Sequence, residues 1–341
     1  MTTGYVYDEY FLKHDLPGHP EHAGRLVAIM NYLKQQAILP RLIEIPGRLA
    51  RREELARCHH IRYIQLVEEV SQNGGGMFDA DTYANAFSYE AASRAAGSLV
   101  DLTKAVVRGE LSNGFALVRP PGHHATPLRA MGFCIFGTVA VAARAARFEL
   151  GLERVAIIDF DVHHGNGTQA ILDEDPHILF ISSHQYPFYP GSGALDEIGV
   201  GPAEGSKVNI PLAVGTADEG FAKLYGEVVF PILRRFQPEL ILVSAGFDAH
   251  WQDPLANIGW SLAGCYQLCA DLIALAGELC QGRIVFTLEG GYNLPVLAAG
   301  VGNAFRALLA DQDYDDPVGP SPYASPGVNG LVERLKRIHR L

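Results

Sequence analysis

Hydrophobic positions along this chain fall into two rhythms. Five short runs are almost continuously apolar: Phe115–Val118, Arg154–Asp159, His177–Ser182, Glu239–Ser244 and Arg283–Leu288. Runs of this length and character suit parallel strands covered on both faces. Longer segments with helical spacing surround and separate them: Ala23–Gln35, Tyr89–Arg108, Gly137–Phe148, Asp218–Phe236, Ser261–Leu279 and Leu294–Leu309. The alternation predicts an α/β fold, with residues 1–341 forming one domain. Asp311–Val328, rich in Asp, Pro, Ser and Gly, predicts a surface connection leading to a short amphipathic helix, Asn329–Leu341.

The polar residues that interrupt this pattern gather just after the strands. Arg119-Pro-Pro-Gly-His-His124 follows the first run. Asp161 and His163 follow the second, Ala245-Gly-Phe-Asp248 the fourth, and Glu289-Gly-Gly-Tyr292 the fifth. In an open parallel sheet, ligand sites collect beyond the carboxyl ends of the strands. Separate pieces of chain can therefore converge on one cavity.

Composition narrows the choices. With 48% hydrophobic and 19% charged residues, 341 residues can fill a large core. The net charge of -11 argues against non-specific nucleic-acid binding and is compatible with a cationic substrate. The N-terminal MTTGYVYDEYFLKHD lacks the pattern of a signal peptide, and the apolar segments look too short and interrupted to span a membrane. The five cysteines have no CxxC spacing, which suits reduced thiols in cytoplasm.

Asp161, His163 and Asp248 offer two carboxylates and an imidazole. That donor set suits zinc and leaves room for water and a carbonyl. In an extended segment Asp161 and His163 share a face. Asp159 ends an apolar strand, so it needs a partner. It can orient His123, join a monovalent-cation site, or satisfy turn donors. His123 and His124 suit proton transfer, and Tyr292, after two glycines, can donate to an oxyanion. Taken singly, the histidine pair also fits a solvent-facing turn, and the tyrosine fits core packing.

Together the stretches RPPGHHA (119–125), MGFCIF (131–136), DFDVHHGNGTQ (159–169), YPGSG (189–193), SAGFDAHWQDP (244–254) and LEGGY (288–292) resemble the histone deacetylase/acetylpolyamine amidohydrolase superfamily. The similarity begins at GHPEHAGRL (18–26) and runs to about Leu309. Asn166, where some members carry aspartate, resembles class II-like and bacterial members. The resemblance implies an arginase/deacetylase-like three-layer α/β fold around a mostly parallel, eight-stranded sheet. It places zinc on Asp161, His163 and Asp248. It assigns proton transfer to His124 with help from His123, orientation of His123 to Asp159, orientation of His124 to Asn166, and oxyanion stabilisation to Tyr292. Phe133 becomes one channel wall, and Tyr189 or Phe188 the other. Leu255 stands at the rim where a polyamine-selective relative has glutamate. Asp81 and Gly291 join the substrate contacts, with Asp79 or Glu90 near the entrance. A structural potassium site is implied through Asp159, Asp161, His163 and Ser182. Arg25, His22 and His184 support the cavity or an inner channel. Gly137 departs from the asparagine common after GFCxF.

The activity so implied is hydrolysis of N-acetyl or other short N-acyl amides on lysine side chains. The alternatives are an acetylpolyamine or other small acylated-amine deacylase, an acyl-lysine-binding module and an arginase-like ureohydrolase. No nucleic-acid or membrane partner is expected, and the sequence leaves oligomeric state open.

Overall fold

The computed structural model describes residues 2–341. Its strands are β1 Thr3–Val6, β2 Ile43–Ile45, β3 Gly75–Met77, β4 Tyr83–Asn85, β5 Asn113–Ala116, β6 Val155–Asp159, β7 Ile178–Gln185, β8 Lys207–Leu212, β9 Leu240–Ala245 and β10 Ile284–Leu288. Eight of them form one sheet in the order β2-β1-β5-β10-β9-β6-β7-β8, paired in parallel throughout. β3 and β4 form a small antiparallel hairpin. The five predicted strands occupy five consecutive places from β5 to β7. That is why they are continuously apolar: each is fully buried, with helices covering both faces.

The helices are α1 Gly24–Gln35, α2 Arg52–Ala56, α3 Ile61–Gln72, α4 Ser88–Val107, α5 Thr138–Leu150, α6 Asn166–Leu172, α7 Asp218–Leu224, α8 Phe230–Phe236, α9 Leu262–Cys280, α10 Leu294–Leu308 and α11 Asn329–His339. The predicted helix 218–236 is α7 and α8 joined by a π-helical turn, Tyr225–Val229. Pro231 follows that turn; it has no N–H to give an α-helical ladder, and the wider turn absorbs the mismatch. Residues 311–328 carry no helix or strand and lie over the surface. Trp251 Nε1 donates to Gly319 O at 3.1 Å, and Tyr314 stacks on Tyr266.

One apolar segment is longer than the sequence reading held. α9 is long and apolar enough, by length and composition, to cross a membrane. In the fold it packs against α10 and β9, burying Leu262, Cys265, Leu268, Cys269, Leu272 and Leu275. Its apolar character thus serves the protein core.

Candidate active site

The floor of the site is fixed by sheet register. β6 and β9 are neighbours, with Asp159 opposite Ser244. The loops leaving these adjacent strand ends therefore run side by side, and they carry Asp161 and His163 on one and Asp248 on the other. Backbone donors hold the carboxylates. Gly290 N donates to Asp161 Oδ2 at 2.8 Å, His163 N to Asp161 Oδ1 at 2.9 Å, and Val162 N to Asp248 Oδ1 at 3.0 Å. His163 Nδ1 then lies 3.2 Å from Asp161 Oδ1 and 3.3 Å from Asp248 Oδ2. One donor atom from each of the three side chains lies within 4.8 Å of the others. Among the described residues Asp248 Oδ2 is buried and makes no well-formed hydrogen bond, with only His163 Nδ1 close to it. A buried carboxylate oxygen left over in this way is costly unless a cation completes it. The donor set and the orphaned oxygen both fit a divalent ion such as zinc. Only glycine permits the close approach at residue 290, since a Cβ there would stand 2.0 Å from Asp248 Oδ2.

Above this floor stand the paired histidines. Their loop is held by the buried carboxylate of Glu289. Its Oε2 accepts from Gly122 N at 2.8 Å and His123 N at 3.2 Å, while Oε1 accepts from Ser244 Oγ at 2.9 Å. His123 Nδ1 is 3.0 Å from Asp159 Oδ2, and His124 Nδ1 is 2.8 Å from Asn166 Oδ1. With Nδ1 committed in each ring, Nε2 is the nitrogen left for chemistry. The ring centroids are 3.9 Å apart. Burial opposes a charge on His123, but Asp161, Asp159 and Glu289 outweigh it and push its pKa well up. Burial, then the charges of His123 and His163, push His124 well down. The pair is thereby split into one ring that favours the proton and one that favours the neutral form.

The side chains of both loops open into a cavity of about 240 Å³. Asp81, Phe133, Phe188, Tyr189, Leu255 and Tyr292 line it together with His123, His124 and His163. Both candidates for the second wall take part. Phe188 stacks on His163 at 5.5 Å between centroids, and Tyr189 meets His124 edge-on at 5.2 Å. Phe133 occupies a left-handed conformation at φ 66° after Gly132 at φ 55°. This tight turn turns its ring toward Tyr292, 5.9 Å away. A Cβ at Gly132 would meet His124 Cδ2 at 2.4 Å, so glycine is required against the histidine.

Some predicted contacts fall elsewhere. Gly291, expected among the substrate contacts, is not part of the lining, and Gly290 takes that place. Gly291 O instead accepts from Arg25 Nε at 2.8 Å. Arg25 also donates to Glu289 O at 2.6 Å and sets its guanidinium 5.0 Å from the Tyr292 ring centre. Glu90 pairs with Arg94 on α4 at 2.7 Å and does not line the entrance. Asp79 Oδ1 accepts from Asp81 N and Thr82 N, shaping the entrance loop. His184 lies between Ser182 Oγ at 3.0 Å and Gly193 O at 2.9 Å, supporting the loop beneath Tyr189. His22 Nδ1 accepts from Gly24 N at 3.1 Å, at the start of α1.

Three carboxylates of the site were given no role from the sequence: Glu289, Asp253 and Glu21. Each lies inside a motif stretch and is buried, at 1%, 6% and 0% exposure. Glu21 accepts from Arg119 Nη2 at 2.8 Å and Arg25 Nη1 at 3.0 Å, anchoring both arginines under the entrance. An acidic residue beside glycine or proline was the available signal.

Comparison with known proteins bears on the family and the fold. The histone deacetylase domain matches residues 19–308. Histone deacetylase 14, chloroplastic, from Arabidopsis thaliana is 40% identical, over 97% of this chain and 83% of its own. A probable deacetylase from Archaeoglobus fulgidus is 38% identical over 92% of this chain and 90% of its own. The crystal structure of the HDA15 HD domain superposes with a TM-score of 0.91 at 37% identity, covering 99% of this chain and 96% of that one. The fold, the ordered motifs and these likenesses establish that the chain belongs to the histone deacetylase family.

Proposed function

We propose that this deacetylase-family hydrolase is a zinc-dependent amidohydrolase that removes acetyl or other short acyl groups from lysine side chains. The observation that carries the reading is the convergence of Asp161, His163 and Asp248, with its orphaned Asp248 oxygen, at the base of a cavity that also holds His124 and Tyr292. When bound there, zinc supplies Lewis-acid polarisation of the acyl carbonyl. The protein does the rest. His124, fixed through Nδ1 by Asn166, takes a proton at Nε2 from the attacking water. Tyr292 donates its hydroxyl to the oxygen that gains charge. His124, aided by His123, returns a proton to the departing amine. Amide and water thus become amine and carboxylate.

Aromatic faces of Phe133, Phe188 and Tyr189 suit an aliphatic linker. A small acylated amine is the second reading. Among the described residues lining the cavity, Asp81 is acidic and none is Lys or Arg, which favours a cationic substrate. The ureohydrolase reading needs two metals. The other convergent set, His123, Cys134 and Glu289, has its carboxylate already engaged by two backbone donors and a hydroxyl. The proposed potassium site draws on Asp159, Asp161, His163 and Ser182, where β7 places Ser182 opposite Asp159. The setting we propose is the cytoplasm, where five buried, unpaired cysteines remain reduced.

The test is amine release after zinc loading, with acetyl-lysine peptides and acetylpolyamines in parallel. Turnover that chelation removes and zinc restores is expected, with peptides preferred. Folded, zinc-loaded protein without turnover on either class would overturn the reading.

A further inference from the structure

Asp253 stands in the loop after β9, next to the rim segment Pro254–Leu255. Its carboxylate joins two segments far apart in sequence. Oδ2 accepts from Tyr292 N at 2.7 Å and Asn293 N at 3.3 Å, while Oδ1 accepts from Leu255 N at 3.0 Å. The groups that meet here are all backbone donors and cannot bond one another. A buried carboxylate accepts from all of them; an amide side chain would turn a donor toward a donor. Asn293 strengthens the same junction. Its Nδ2 donates to Gln252 O at 3.2 Å, and its Oδ1 caps α10 at Val296 N. The glycine before the tyrosine, at φ 119°, is held at its carbonyl by Arg25, and Asp253 holds the next two backbone amides.

The two residues tied through Asp253 share a further property. Leu255 and Tyr292 line the acyl cavity and also a neighbouring groove of about 470 Å³ walled by Leu16, Pro17 and Pro20. They form the partition between the reaction chamber and the outer surface.

We infer that Asp253 is a positioning residue for hydrolysis: it holds Tyr292 over the reacting carbonyl and locks the tyrosine to the entrance at Leu255. This rests on the amidohydrolase reading above. Asp253 touches neither substrate nor metal ligand in this role and acts through the backbone of Tyr292. The entrance and the oxyanion side then move as one unit.

A double-mutant cycle separates positioning from general support of the fold. Asp253→Ala should lower kcat on an acetyl-lysine peptide by roughly tenfold or more, with KM changed much less and zinc content unaltered. In a Tyr292→Phe background the same substitution should cost less than about twofold, because the hydroxyl it positions is already gone. Asp253→Asn, which keeps an acceptor for Tyr292 N, should recover part of the loss. Equal losses in both backgrounds, or an unchanged kcat, would overturn the inference. Amide hydrogen exchange gives a readout independent of turnover: Tyr292 and Leu255 should lose protection in Asp253→Ala while β6 and β9 keep theirs. If wild type hydrolyses no acyl amide, the amidohydrolase reading falls. Retained protection at Tyr292 would sink the positioning role by itself.

Discussion

The floor of the site and its entrance are built on different terms. The floor stands on the ends of β6 and β9, in the middle of the sheet, and Asp161, Asp248 and His123 are almost wholly buried there. Each Asp oxygen there meets a backbone amide, an imidazole or the point where a cation fits. The entrance comes from loops: 79–82, 131–134, 186–190 and 252–255. Its aromatic walls touch by ring edges and faces, and Tyr189 remains 37% exposed. The difference teaches that the proposed reaction and the choice of substrate it implies are held by separate parts of the fold. Strand register fixes the first, and loop packing the second.

Substitution on the floor should have the largest effect. Asp248→Ala is expected to lower turnover by at least about 10³-fold and to weaken zinc binding, because it removes one of the three proposed ligands. Metal analysis after dialysis, alongside kinetics, checks both; full activity would contradict the assigned ligand. Tyr292→Phe lies between floor and entrance. It should keep zinc and lose roughly 10²- to 10³-fold in kcat, as expected for one oxyanion donor. A wild-type kcat would end that role.

Leu255→Glu belongs wholly to the entrance. It should raise the ratio of kcat/KM for acetylpolyamine over acetyl-lysine peptide by roughly fivefold, since a half-exposed charge contributes little more than 1 kcal/mol. Zinc content should stay the same. A parallel fall on both substrates would mean that the entrance does not choose between them.

An effect on stability, with none expected on substrate choice, concerns two buried histidines. Burial drives the pKa of His14 down to about 3, and that of His59 down to about 4, from an ordinary 6.5. Between about 6.5 and those folded values, the unfolded chain holds more protons than the folded one. Stability should therefore fall as pH drops through this window, by up to roughly 1.4 kcal/mol per pH unit for each ring, and stop falling on their account below it. His14 stacks on Tyr83, and His59 Nε2 accepts from Gly137 N, so a proton on either ring disturbs a buried contact. Burial pushes the carboxyls of Asp159 and Asp253 up to about 7, which acts in the opposite sense, so the urea midpoints at pH 7 and pH 5 are compared between wild type and His59→Gln: the variant should lose less stability on going to pH 5, and an equal loss would contradict the assignment.

How much of this was legible beforehand follows from the kind of interaction. β5, β6, β7, β9 and β10 were legible because burial on both faces writes a continuous apolar run. β1, β2 and β8 were not. β1 is four residues long and begins Thr-Gly. β8 includes Pro211 and a buried lysine, whose ammonium is satisfied by Ile178 O at 3.1 Å and Ser206 Oγ at 2.7 Å. No periodicity announces such a strand, since its partners come from other segments. Asp161 and His163 stand out because candidate ligands two residues apart carry their own pattern. Glu289 and Asp253 do not, because their partners are backbone amides 166 and 39 residues distant.

The sequence by itself determined the central strands, the main helices and the inventory of groups able to do metal-assisted acyl chemistry, because side-chain type and local spacing encode these directly. Tertiary structure decided which groups meet. It put both Phe188 and Tyr189 on the cavity wall, exchanged Gly291 for Gly290, drew Glu90 away to Arg94 and gave Asp253 its hold on Tyr292. Those outcomes depend on where separate loops leave the sheet and on which buried donors still need an acceptor. Both are settled only when distant segments pack.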